Sequence, residues 1–503
     1  MAGIGFELKK LFSKEGILAK TRAYGYAGIV CTGPMLLGVI LLLGVRFIAQ
    51  LGGAFRHDQE LLVCMLTYAL LASLIFSSVL SMITTRFVAD MLYSDKREEI
   101  LPSFYGSCAV ILAIGCTCYG IFLCFSGVKL IYTLLSFLLF SELCVVWTEI
   151  NYMTALKDYK SILLTFVIGL LMSFGSGFVF IWINIEPITA MMLAVCVGYG
   201  IMMIWFCKMM HQYFPRGKGS TLQFLAWIDR YPKLVWVGLL TTLGLFAHIV
   251  IVWMGPMGVQ VEGLFYGAPE YDVPALFAFL SILYTTINFV TSVEVNFYVK
   301  YRQYFSLFND GGSIKDIEEA EMEMTTVLKQ ELYYLALKQF FMTVVFIIVV
   351  SPLLSRIGMG FNNTMLGTFR ILCVGYGLYA IANSIMLIQL YFSDNEGAFW
   401  SSTGFFISAS IGTLLLINSD FRFYGFGFVL GGAVMYCISW IRLASYIKKI
   451  QYHILCAQPV LAAKQEGFFT KISEKFQRKF EDKNLKSDIV EDSNFEETEN
   501  VQM

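Results

Sequence analysis

The chain has 503 residues, 57 % of them hydrophobic and 16 % aromatic, and only 15 % are charged, against about 25 % in an ordinary soluble protein. Its 36 basic and 37 acidic residues leave a net charge of −1, which offers no basic field for nucleic acid. Nineteen charges fall in residues 448–503, so the rest of the chain has too few to build a water-exposed surface. Soluble multidomain enzymes, disordered proteins and nucleic-acid binders are excluded.

In chain order, residues 1–22 form an amphipathic segment with Ile4, Leu8, Leu11 and Phe12 on one side. Twelve apolar runs follow, each long enough for the roughly 20 residues that a bilayer core demands. They lie near 23–48, 61–83, 104–126, 130–151, 162–184, 188–207, 234–254, 275–297, 333–354, 370–392, 399–417 and 424–445. The first is too long for the apolar core of a signal peptide and lacks a cleavage site, so it reads as retained. With the N-terminus in the cytoplasm, the outer segments hold only Arg46, Arg56, Lys129, Arg356, Arg370 and Arg422. The other thirty Lys and Arg face inward, which places both termini inside and requires an even number of spans.

A polar break, 208–233, divides the spans six and six. The expected fold is an all-α polytopic membrane protein of 12 transmembrane helices in two six-helix lobes: an N-lobe over 23–207 and a C-lobe over 234–447. Charged links after spans 2 and 8 echo each other, as in a parallel repeat. The link after span 8, 298–332, is expected to be helical: Ser313 and Asp316 fit a capping box, and Ile317, Ala320, Met324, Val327 and Leu328 form a stripe. That stripe must bury against the membrane face or a partner protein. The tail, 448–503, carries a second stripe within about 465–484: Phe468, Ile472, Phe476 and Phe480, flanked by Lys471, Lys475, Arg478, Lys479 and Lys483. It reads as a helix on the anionic inner leaflet, or one packed on the protein itself.

The twelve cysteines sit mostly inside apolar runs, without CxxC or zinc spacing, and the four histidines are scattered. They predict packing residues rather than disulfides or a metal site. No catalytic residue, metal ligand or cofactor is assigned, and the chain does not read as an enzyme. Ionised groups inside a bilayer cost about 2.5–3.5 kcal/mol on insertion scales, so the buried polar residues are the candidates for a substrate or ion path. These are Glu142 and Glu149 on one face of span 4, and Asn288, Glu294 and Asn296 at the inner end of span 8. Either they line a path for a polar solute, H+ or Na+, or they join helices. His248 is a weaker candidate. Gly33 and Pro34 interrupt span 1 and form a candidate hinge. The outer loop 255–274 carries Glu262, Glu270 and Asp272 and no basic residue, suiting either a guide for exiting solute or a solvated loop.

Several stretches resemble the PelG family. They include Met1-Ala2-Gly3-Ile4-Gly5-Phe6-Glu7-Leu8-Lys9-Lys10, Ala23-Tyr24-Gly25-Tyr26-Ala27-Gly28 and Thr85-Arg86-Phe87-Val88-Ala89-Asp90. Others are Ala155-Leu156-Lys157-Asp158-Tyr159-Lys160, Asn288 through Tyr298, and Phe308-Asn309-Asp310-Gly311-Gly312-Ser313. The resemblance runs to about residue 450. It implies an exporter of the Pel exopolysaccharide, a polymer rich in N-acetylated hexosamines, in the bacterial cytoplasmic membrane. It also implies the fold of the multidrug/oligosaccharidyl-lipid/polysaccharide exporter superfamily, with two lobes around a cavity. The implied partners are a PelF-like glycosyltransferase and PelD- and PelE-like membrane proteins. The motifs cluster at inner ends of spans, which makes Arg86, Asp90, Lys157, Asp158, Asn309 and Asp310 candidates for partner docking. Rival readings are a cation-coupled small-molecule or multidrug exporter and a non-transporting scaffold of a polysaccharide synthase.

Overall fold

The computed structural model describes residues 33, 36–156, 159–215, 217, 219–309, 311–356, 360–456 and 467–478. Apolar sequence in lipid must satisfy its own backbone, and helices do so within one segment. Eleven described helices are long and apolar enough to cross a membrane. They are α2 (Arg56–Tyr93), α3 (Arg97–Cys124), α4 (Leu130–Thr154), α5 (Lys160–Trp182), α6 (Pro187–Tyr213) and α7 (Pro232–Trp253). The second set is α8 (Pro269–Phe308), α9 (Ile314–Arg356), α10 (Asn363–Tyr391), α11 (Asn395–Leu416) and α12 (Phe421–Ile447). A shorter apolar helix, α1 (Leu36–Leu51), precedes them. These elements match the twelve expected runs, except that the beginning of the first lies outside the described residues, as does the segment 1–22. Proline opens α6, α7 and α8 at a position whose N–H has no partner in the helix.

The buried core divides. One cluster runs from Leu41 to Leu234, and a second starts at Val237 and reaches Met435. Each has one outlier: Phe265 is embedded in the first, and Leu71 of α2 in the second. The lobes meet closely where α7 crosses α2. A Cβ on Gly238 would lie 2.5 Å from the Ser78 carbonyl oxygen, so this crossing has room only for glycine.

The two charged links differ, although the sequence makes them look alike. After α2 the helix simply continues to Tyr93, and a short turn leads into α3. After α8 a helical hairpin projects, and the Ser313 capping box with Asp316 starts α9 as expected. Its stripe is buried, but neither membrane nor partner covers it. Ala320, Met324 and Leu328 pack on the extension of α8, with Phe297 and Tyr304 in the same cluster. The hairpin supplies its own cover because the two helices are antiparallel and both amphipathic.

Residues 468–478 are helical. Phe469 and Ile472 pack against the N-lobe core, and Thr470 donates its backbone N–H (2.6 Å) and hydroxyl (2.8 Å) to Asp229 in the segment between the lobes. Phe468 and Phe476 are exposed, so the stripe divides between protein and surroundings. Phe480 and Lys483 lie outside the described residues. An Asp at a helix start satisfies N–H groups otherwise left unpaired. Asp229→Ala is therefore expected to free this helix at a cost of about 1 kcal/mol, seen as faster proteolytic cleavage after the tail lysines with the membrane core intact. Unchanged cleavage would show that the apolar contacts alone hold the helix.

Candidate interlobe cavity

The sequence candidates do not converge on one site. Glu149 is fully buried in α4, and neither carboxylate oxygen has a hydrogen-bond partner. Glu142 lies two turns earlier, half-buried, with one oxygen 3.3 Å from where a Cβ on Gly200 of α6 would sit and the other buried and unpartnered. Both therefore belong to the interior of the N-lobe. Burying a carboxyl without a donor is costly unless it holds a proton or a cation.

Asn288 and Asn296 instead join α8 to α9. Lys338 donates to Asn288 Oδ1 (2.8 Å), and Asn296 donates to Glu331 (2.7 Å). Gln339, fully buried, extends this polar seam. It accepts from Thr285 and donates to the Ser281 carbonyl (3.4 Å) and to Thr343 (3.3 Å). The stretch Phe289–Phe297 is π-helical, as is Phe346–Val350 on α9. Such widened turns are frequent at functional sites. Glu294 lies in this stretch, and its side chain is outside the described set.

Gly33 rests against Leu163 of α5, while Pro34 is outside the described residues. His248 is a packing residue of the C-lobe. It is fully buried, with Nδ1 2.7 Å from the Tyr271 hydroxyl and Phe428 against its ring. Arg86 and Asp90 pair with each other (3.1 Å). Asp90 also accepts from the Trp227 indole (2.8 Å), and Arg86 lies over Tyr231. They hold the interlobe segment to the end of α2. Lys157, Asp158 and Asp310 are outside the described residues, and for Asn309 only the backbone is described.

A cavity of about 590 Å³ lies between the lobes, within the usual size range of ligand sites. Tyr68, Leu71, Ala72, Ile75 and Phe122 form its N-lobe wall; Val250 and Trp253 of α7, with Met254 just past its end, form the other. Ile75 is one turn from Ser78, so the α2–α7 crossing closes the cavity toward the end that bears Arg86. Among the described residues, no acidic or basic side chain lines it. The Tyr68 and Trp253 rings stack across the lobes, 4.8 Å apart at 8°, and Phe122 stacks behind Tyr68 at 5.7 Å. None of these aromatics stood out among 44 Phe, 27 Tyr and 8 Trp.

At the opposite end, a two-stranded hairpin crosses the cavity: β1 (Val259–Glu262) and β2 (Phe265–Gly267). Leu264 and Tyr266 line the cavity from it. Phe265 is fully buried in the N-lobe core, 5.0 Å from Tyr68 and 5.6 Å from Phe122 between ring centroids. Burial of such a ring contributes about 1.5–3 kcal/mol. The Leu264 N–H donates to the Ser126 carbonyl (2.8 Å), and the Tyr266 N–H to the Tyr68 hydroxyl (3.2 Å). Gly263 has φ +57°, and a Cβ there would lie 1.8 Å from the Ser126 oxygen.

Each acidic residue of this loop has a partner within the protein. Asp272 accepts the Trp253 indole N–H at 2.9 Å to each oxygen, and the Ala268 N–H at 2.9 Å. Glu270 accepts from Asn362 (3.0 Å), and Glu262 lies 3.7 Å from His57. Nearby, Lys129 (2.9 Å) and Tyr132 (2.7 Å) bind Glu186, joining two turns of the N-lobe. The two hydrogen bonds hold the Glu186 carboxyl below the usual carboxylate range and raise Lys129.

Comparison with solved structures places this architecture. The chain is similar to an outward-facing multidrug resistance MATE family transporter of the MOP superfamily: TM-score 0.58, 12 % identity, covering 84 % of this chain and 96 % of that one. An inward-facing transporter of the same description gives 0.56 at 12 % identity, over 84 % and 99 %. A MOP superfamily transporter from Pyrococcus furiosus, described as having a binding pocket of reversed polarity, gives 0.55 at 11 %, over 84 % and 96 %. These likenesses show the fold. No curated protein matches the sequence. Residues 1–455 match the PelG family, described as "Putative exopolysaccharide Exporter (EPS-E)". With eleven apolar helices and a transporter fold, the chain is a multi-pass membrane transporter and belongs to the PelG family.

Proposed function

We propose that the chain exports a Pel-like polysaccharide, rich in N-acetylhexosamine, across the bacterial cytoplasmic membrane. Both termini and the Arg86 end of the bundle lie in the cytoplasm, as the charge bias requires. A PelF-like glycosyltransferase and PelD- and PelE-like membrane proteins supply the polymer on that side. The observation that carries this reading is the aromatic, charge-free cavity between the lobes, set in a chain of an exopolysaccharide-exporter family. Sugar rings present apolar faces that stack on aromatic side chains, while hydroxyls and amides seek scattered polar groups. A site for lipophilic cations would draw on a carboxylate in the cavity wall, and none lines it among the described residues. Glu142 and Glu149, both short of partners inside the N-lobe, are the groups that bind the coupling H+ or Na+.

In cells that make the polymer, deleting the gene and tracking polymer inside and outside tests this reading. The intact gene is expected to restore extracellular polymer, and Trp253→Ala to restore roughly a fifth of it, since losing one aromatic contact costs on the order of 1 kcal/mol. Loss of synthesis itself, rescued equally by Trp253→Ala, would favour a scaffold. Rescue of dye extrusion alone would favour a multidrug exporter.

A further inference from the structure

We propose that the hairpin Val259–Gly267 is the outer gate of the interlobe cavity, and that lifting it exposes the Tyr68 and Trp253 ring faces as an exit subsite for a pyranose ring. The subsite's ligand rests on the export reading above; the gate does not. Three observations converge. First, the hairpin leaves the C-lobe but is seated in the N-lobe: Phe265 is fully buried there, and Leu264 is hydrogen-bonded to Ser126. Any movement that separates the lobes at this end must break those contacts. Second, its latch and the cavity wall share a residue. Tyr68 accepts the Tyr266 N–H through its hydroxyl and stacks on Trp253 through its ring. Third, Asp272 holds both the Trp253 indole and the Ala268 N–H that follows β2. One carboxylate therefore fixes the root of the hairpin and the orientation of the opposing ring, so that hairpin and ring move together. With the hairpin down, the two rings cover each other; with it up, a sugar ring takes the place of one aromatic face.

The Leu264 N–H lies 2.8 Å from the Ser126 carbonyl oxygen, so these two positions are the cross-link to test. In the full-length protein, Ser126→Cys with Leu264→Cys is expected to lock the gate when oxidised. The readout is labelling of an added Ile75→Cys inside the cavity by a bulky polyethylene-glycol maleimide applied from outside. Peptide mass spectrometry separates it from the native cysteines. Oxidation is expected to cut labelling roughly tenfold and reductant to restore it. Gly263→Val, which collides with Ser126, should raise labelling. If oxidation forms the disulfide and labelling at 75 does not change, the gate is overturned; so too if Gly263→Val, folded and inserted, leaves labelling unchanged. Loss of labelling on locking with undiminished polymer export would uphold the gate and count against polysaccharide as the cargo.

Discussion

Replacing Glu149 with leucine is expected to stabilise the protein and abolish driven export. The side chain is fully buried in α4 with two unpartnered oxygens. Leaving a polar group in that state costs about 1–3 kcal/mol, which an apolar side chain of similar size removes. An ionisable side chain left unpaired inside a membrane is a functional candidate by default. Glu149→Gln keeps the shape but cannot exchange a proton, so it should match the leucine variant in transport and fall between it and wild type in thermal midpoint. Glu142→Gln is expected to impair transport with insertion intact. If Glu149→Leu exported polymer normally with both gradients intact, Glu149 would be only a packing residue and export would not depend on it.

A second large effect is expected at Asp394. This side chain is 4 % exposed and accepts from Arg442 Nε (2.8 Å) and Nη2 (2.9 Å). It also caps α11 by accepting the Gly397 N–H at 3.1 Å. Glu396 extends the cluster to Lys233 at the start of α7 (3.4 Å). Breaking a fully buried ion pair costs about 3–5 kcal/mol, but water reaches the Arg442 side chain, which is 40 % exposed. Asp394→Ala should therefore cost about 2–3 kcal/mol, of which roughly 1 is the lost cap. Thermal unfolding of the detergent-solubilised protein, in a cycle with Arg442→Ala, separates the two parts. A coupling near zero would leave only the cap.

The spans, the Ser313 capping box and the buried depth of Glu142 and Glu149 were legible because each is written in contiguous sequence. Hydropathy and helical spacing act over about 20 residues. What eluded that reading depends on partners far along the chain. The sequence leaves Asn288 and Asn296 open between lining a path and joining helices, because their partners Lys338 and Glu331 are 50 and 35 positions away. Tyr68 and Trp253 meet only because α2 and α7 cross at Gly238. The loop 255–274 reads as polar and open, since nothing local reveals that Phe265 is destined for the other lobe's core. The tail stripe showed a helix, but its anchor is Asp229, 241 positions earlier.

Export is proposed to carry polymer across the membrane through this chain. It is tested most directly in inverted membrane vesicles that contain the chain and its synthase partners, supplied with nucleotide sugars. Newly made polymer is expected to resist an added glycoside hydrolase until detergent opens the vesicles, and to lose that protection in Trp253→Ala. Polymer that is made in the vesicles yet digested fully without detergent would contradict it.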